Sequence, residues 1–304
     1  MTCQYISNLC PITGKPGHIR RQMSGKDLFE LYGTYFSKRI EERYFPIPFD
    51  ETIIEYHSEE SGLVWYYPRK LGDGGYYNHL NNTYSWYYNP NSWDKQLCLE
   101  LLNSEQMDSI IEIGSGDGWM LHELKKANLN AMGVEINEKA VGDCRSQGLK
   151  VYAPSEPIPK PEGRVALCML QTIEHLDNPV GVLSEYIDLF KPEYIHLSAP
   201  CFETLLGLTS DPLSWPPHHA TAWSEKSMHQ MGLKIGYKIK LVKYSPLSFH
   251  EFLMRQQWEP NKKFPGLPRF PGGKFGRVLF KLLRVVKPCW FTRSHSIYVI
   301  LEPA

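Results

Sequence analysis

Neither sign of charge dominates this chain: Lys and Arg together number 33, and so do Asp and Glu. The basic field that draws a protein to nucleic acid is therefore missing, and no nucleic-acid partner is expected. Long apolar runs are missing too. No stretch reaches the roughly 18 apolar residues that a membrane-spanning helix needs, and residues 1–24 contain no signal-like apolar run. Cysteine is scarce. Cys3, Cys10, Cys98, Cys144, Cys168, Cys201 and Cys289 are odd in number and scattered, which excludes a disulfide scaffold and predicts reduced thiols in a cytoplasmic protein. Internal repeats and low-complexity tracts are also lacking. Against these absences, 42% of residues are hydrophobic, enough to build a substantial core.

The first ninety residues are crowded with aromatics, among them Trp65-Tyr66-Tyr67, Tyr76-Tyr77 and Trp86-Tyr87-Tyr88. They predict a small irregular module over 1–90, its aromatics filling a core or covering a ligand. A regular alternation begins near residue 91. Strands are expected at 109–113, 131–135, 149–152, 165–169, 194–197, 237–244 and 296–301. Between them, Ser92, Asn137 and Asn178 stand where helix caps belong. Alternating strands and helices predict an α/β domain over 91–304, with a mostly parallel, Rossmann-like sheet of seven strands covered by helices on both faces.

The most informative segment is Glu112-Ile113-Gly114-Ser115-Gly116-Asp117-Gly118-Trp119, between the first predicted strand and helix of that domain. Glycines there let the backbone approach a ligand closely. Glu135 ends the next strand, 21 residues after Gly114, where a carboxylate can accept from both hydroxyls of a ribose. A dinucleotide fingerprint would read G-x-G-x-x-G. Here Trp119 stands at its third glycine and Asp117 lies in the turn, which disfavours a pyrophosphate and favours a ligand with an ammonium group.

These residues resemble motif I of the class I S-adenosylmethionine-dependent methyltransferases. The resemblance extends to Gln171-Thr172-Ile173-Glu174-His175-Leu176, Lys191-Pro192, Ser198-Ala199-Pro200 and Pro217-His218-His219-Ala220-Thr221-Ala222-Trp223-Ser224. The last segment is similar to one in the glycan and small-molecule branch. The resemblance implies S-adenosyl-L-methionine as cofactor, held by Glu112, Gly114, Ser115, Gly116, Asp117, Gly118, Glu135, Ile136 and Gln171. It also implies a zinc-ribbon-like N-terminal module. Cys10-Pro11-Ile12-Thr13-Gly14 and Ser58-Glu59-Glu60-Ser61-Gly62 have the knuckle shape but keep one of four thiolates, so a degenerate module without its metal is expected.

Methyl transfer to a hydroxyl needs a base, and histidine supplies one near neutrality. His175, His218 and His219 are the candidates, with loop anchoring as the alternative for His175. Related enzymes that use a divalent ion carry E-x-x-E-H. Gln171 replaces the first acid here, so no metal is expected. The acceptor implied is a sugar, a glycan precursor or another small or lipid-linked molecule. A non-catalytic binding protein and a nucleic-acid methyltransferase remain as other readings. Finally, residues 251–293, inside an insert at about 247–293, carry ten Lys or Arg and two acids. Within it, 274–287 predicts an amphipathic helix with a basic face. Its apolar face either packs on the sheet or rests on a membrane's inner surface.

Overall fold

The computed structural model describes residues 8–36, 40–84, 87, 92–203, 211–247, 249, 253, 273–286 and 295–304. The main domain begins with helix α3 (Trp93–Glu105) and continues through β4 (Ser109–Ile113), α4 (Trp119–Lys126), β5 (Ala131–Val134), α5 (Glu138–Ser146) and β6 (Val151–Tyr152). It proceeds through β7 (Val165–Leu170), α6 (Pro179–Phe190), β8 (Tyr194–Pro200), α7 (Glu225–Lys234), β10 (Tyr237–Tyr244), α8 (Gly273–Val286) and β11 (Ser296–Pro303). The strands form one sheet in the order β10-β11-β8-β7-β4-β5-β6. β6, β5, β4, β7 and β8 run parallel, and β11 is antiparallel to both its neighbours.

Alternation along each strand explains the layers. In β4 and β7, Ile111, Ile113, Leu167 and Met169 join one buried cluster, while Ile110, Ala166 and Cys168 join another. Both faces are thus covered, which is why these strands read as continuous apolar runs. Asn137 caps α5 through Lys139 and Ala140 N–H, and Asn178 caps α6 through Gly181 N–H. Ser92 makes no side-chain cap on α3; its Oγ is buried without a partner among the described residues.

The N-terminal region is more regular than its sequence predicts. β1 (His18–Ser24), α1 (Gly25–Tyr35), β2 (Thr52–His57), β3 (Val64–Tyr67) and α2 (Gly74–Thr83) precede α3. An antiparallel sheet forms in the order β1-β2-β3-β9, where β9 (Thr221–Ala222) comes from far along the chain. Apolar alternation could not announce β1, because its residues are mostly exposed. An ion pair supplies its anchor instead: Arg21 on β1 meets the fully buried Glu55 on β2. Aromatics form much of the core beneath, with the Tyr32 and Tyr76 hydroxyls 2.8 Å apart. Trp86 and Tyr88 lie outside the described residues. Cys10, Ser58 and Ser61 are brought together: Cys10 Sγ lies 3.2 Å from Ser61 Oγ, and Ser61 N–H donates to Ser58 Oγ. Thr13 instead accepts from Lys15 N–H.

α8 also departs from plain packing of its apolar face. Phe280 is buried against Phe249 (ring centroids 5.4 Å apart). Phe275, Val278, Leu282 and Val285 are all more than half exposed. Lys274, Arg277 and Lys281 are exposed as well. Periodicity fixes the stripes of a helix but not which stripe meets the protein.

Candidate active site

β4 and β7 are neighbours in space, and the chain leaves β4 for β5 on one side and β7 for β8 on the other. Strand order therefore reverses between them, and their carboxyl ends form the natural crevice of an open parallel sheet. The Gly114–Gly118 turn leaves β4, Gln171 leaves β7, and Glu135 leaves β5. Gly114 has φ +76°, and a Cβ there would come within 2.5 Å of Thr172 Oγ1. Only glycine satisfies both the conformation and the approach.

Glu135 and Gly116 are joined directly. The Glu135 carboxylate accepts Gly116 N–H at Oε2 and Asn137 N–H at Oε1, both at 2.8 Å. Each oxygen keeps acceptor capacity for a further donor. Ile136 beside it is 64% exposed, an apolar surface waiting at the crevice edge. Asp117 is exposed, and its Oδ1 accepts Trp119 N–H at the start of α4.

Glu112 is the electrostatic anomaly of this wall. It is buried, its Oε2 has no partner among the described residues, and burial pushes its pKa up to about 8, with Asp117 and Glu135 adding repulsion and Lys95 opposing them. Ser115 Oγ is likewise buried and unpartnered. Buried polar atoms are ordinarily paired, so two orphans in one turn mark a place where a donor or cation is wanted. Gln171 takes φ +51° and holds its side chain to Asp94 Oδ2 (3.1 Å) and Ser198 Oγ (3.3 Å). Ser198 Oγ also donates to Asp94 (2.6 Å), so Asp94 braces the exit of β7 from the first turn of α3.

The three histidines come together as one cluster. His175 lies in a single helical turn after β7, at Ile173–His175. The loop carrying His218 and His219 is tied to that turn by Ala220 N–H donating to Glu174 O (2.8 Å), and to the N-terminal module by Gly72 N–H donating to Pro217 O (2.8 Å). Ring centroids are 4.7 Å apart for His175 and His218, 4.9 Å for His175 and His219, and 4.4 Å for His218 and His219. Burial pushes all three pKa values down, His175 to about 4 and the others well below 6.5. Each is therefore neutral at pH 7 and a weaker base than free histidine. Neighbouring Glu174 is driven the opposite way by burial, and its Oε2 has no partner.

α2 spans the acid wall and the histidine wall. Asn78 accepts from Asn137 Nδ2 (3.0 Å) beside Glu135, while the Tyr77 hydroxyl approaches His175 Nδ1 (3.3 Å). Tyr87 OH meets His218 Nε2 at 2.9 Å. Asp94 and Asn78 carry no sequence signal of their roles, whereas Ser198 stands in the Ser198-Ala199-Pro200 segment and Tyr77 and Tyr87 stand out as members of an aromatic run. Hollows near Phe45–Phe49 and near Lys226 and Val242 lack both the glycine turn and the buried acids.

No protein-family profile matches the chain, and no curated protein matches it in sequence. Among solved structures it is similar to a SAM-dependent methyltransferase from Archaeoglobus fulgidus, at 16% identity and TM-score 0.46, over 68% of this chain and 94% of that one. It is similar to the magnesium protoporphyrin IX methyltransferase of Synechocystis PCC 6803, solved with bound SAH, at 12% identity and TM-score 0.45, over 69% of this chain and 82% of that one. It is also similar to the plantazolicin methyltransferase BpumL, in complex with SAH, at 14% identity and TM-score 0.45, over 74% and 89% of the two chains.

Proposed function

We propose that the chain is an S-adenosylmethionine-dependent methyltransferase whose acceptor is a sugar, a glycan precursor or another small or lipid-linked molecule bearing a hydroxyl. One observation carries this reading: at the sheet's switch point the end of β4, leading into the glycine turn, holds a buried carboxyl, Glu112, whose Oε2 lacks a hydrogen-bond partner among the described residues. The cofactor fits that environment. Its ammonium group offers the charge Glu112 lacks, and its ribose offers hydroxyls to the free lone pairs of Glu135. A dinucleotide would bring a pyrophosphate to the same acids and be repelled.

When bound, the cofactor supplies a methyl group on a positive sulfur, open to in-line attack. The chain's part is alignment in a dry site. Gly114, Ser115, Gly116 and Gly118 form the turn, Asp117 fixes its junction with α4, and exposed Ile136, next to Glu135, would cover the nucleoside. Gln171, braced by Asp94, sets the floor between the two walls. His175, His218 and His219 face the acceptor. His219 Nδ1, buried and without a partner among the described residues, is the open polar position on that wall. Incubating the protein with extracts and an isotopically labelled methyl donor tests this. A labelled small-molecule or lipid-linked product supports the reading, while label confined to nucleic acid, or no transfer at all, overturns it.

The N-terminal region is read as a zinc-ribbon-like module that has lost its metal, with the Cys10–Ser61 contact and the aromatic core in its place. α8 is read as a peripheral membrane contact. Its exposed stripe Phe275, Val278, Leu282 and Val285 lies beside exposed Lys274, Arg277 and Lys281, a pairing of apolar and basic surface that suits anionic lipid. Arg284 and Lys287 belong to the same sequence stripe, but the Arg284 side chain and the whole of Lys287 lie outside the described residues. Co-sedimentation with phosphatidylserine vesicles, lost on Phe275→Asp and Leu282→Asp, is the expected behaviour; equal binding to neutral vesicles contradicts it.

A further inference from the structure

We infer that His175, His218 and His219 together hold a divalent transition ion of the zinc class, with a coordination position left open for an acceptor oxygen. This deepens the methyltransferase reading and revises the expectation, based on Gln171, that no metal is used. One nitrogen from each histidine lies within 4.8 Å of the other two, on residues that are buried or half-buried. Ligands around a tetrahedral ion sit closer than that, so the rings need to move inward by about 1 Å to reach bonds of ~2.0–2.1 Å.

The hydrogen bonding already prepares two of the rings. His175 Nδ1 lies 2.6 Å from His218 O, and His218 Nδ1 lies 2.9 Å from Leu213 O. A carbonyl oxygen only accepts, so both Nδ1 atoms carry the hydrogen and both Nε2 atoms carry the lone pair. This is the outer-shell arrangement by which metal-binding histidines are oriented and made more basic. The third ring has the opposite signature: His219 Nδ1 is buried with no partner among the described residues. Glu174 adds a second buried orphan, Oε2, on the residue beside His175. A purely structural cluster would be expected to satisfy these atoms internally.

Ligand chemistry selects the ion. Three imidazoles suit zinc, cobalt, nickel, copper or iron, whereas magnesium and calcium require oxygen-rich sets. Three protein ligands are also the number found where zinc keeps an open position for chemistry. The Tyr87 hydroxyl, now 2.9 Å from His218 Nε2, has to yield that lone pair when an ion enters.

The test uses the full chain after treatment with chelator. Titration with Co2+ is followed by visible d–d absorption, and titration with Zn2+ by calorimetry. One ion per chain is expected, with no near-ultraviolet thiolate charge-transfer band. His219→Ala and His218→Gln should each weaken binding at least ~10-fold while circular dichroism at the titration temperature shows the variants folded. If one variant fails to fold, the other carries the test. No saturable binding, a thiolate band, or unchanged affinity in the folded variants overturns the site. Cofactor calorimetry on the same samples keeps the outcomes apart: cofactor binding without metal binding removes only the metal, and the loss of both removes the enzyme reading.

Discussion

The two walls of the crevice are opposites in charge type and alike in predicament. On the acid wall burial pushes Glu112 up to about 8, and on the histidine wall it pushes His175 down to about 4. Both groups are therefore neutral near pH 6–7 for the same reason: burial disfavours the charged form by more than neighbouring groups restore it. The acids cluster around a backbone turn that is local in sequence, Glu112 to Asp117, joined by Glu135 across one strand. The histidines are assembled by long-range contacts, from a turn after β7 and a loop pinned between two sheets. Groups gathered this way, neutral yet carrying open lone pairs and orphaned oxygens, are prepared for a ligand that brings charge. On the proposed reading, a cation satisfies the acid wall and an acceptor or a metal ion satisfies the other.

If the walls divide the labour, substitutions on each should separate turnover from cofactor binding. The largest effect is expected from His219→Ala: kcat with the acceptor identified by labelling should fall at least ~100-fold, with cofactor Kd unchanged. A matching loss of cofactor affinity would erase the distinction. Glu135→Ala should do the reverse, weakening cofactor binding by roughly 1–3 kcal/mol, since it strands Gly116 and Asn137 N–H as well as the ribose. Calorimetry reads this directly, and an unchanged Kd would remove Glu135 from the site. The smallest effect belongs to the bridge between walls. Tyr77→Phe removes one hydroxyl contact to His175, expected to cost about 1 kcal/mol, or roughly fivefold in kcat/KM. A change in cofactor Kd instead would place α2 on the acid side alone.

The acid wall was almost wholly legible in the sequence. Its turn, its glycines and Glu135 follow one another within a single β-α-β unit, where local spacing dictates position. The seven strands of the main sheet were legible for the same reason. The histidines were visible as individuals, but their convergence depends on Ala220 N–H reaching Glu174 O, a contact across 46 positions of chain. Asp94 was illegible, since it reads as an ordinary acid in the first turn of α3 and gains meaning only from Gln171 and Ser198. The N-terminal sheet was missed because β1 is anchored by a partly exposed arginine pairing with buried Glu55 and β9 is two residues long. α8 was read in its stripes but not in its orientation, which Phe280 decides by docking on Phe249.

Protonation of Glu112 ties these points to one experiment. Below pH 8 the empty site holds this carboxyl protonated, and a bound ammonium favours its ionised form, so binding must release a proton. Between about pH 5.5 and 7, where an α-amine stays charged, affinity for S-adenosylmethionine should rise by up to ~10-fold per pH unit. Calorimetry in buffers of different ionisation enthalpy should count about one proton released, and Glu112→Gln should abolish both effects. Saturable binding without proton release would contradict the role of Glu112, and the absence of saturable binding at any pH would contradict the account as a whole.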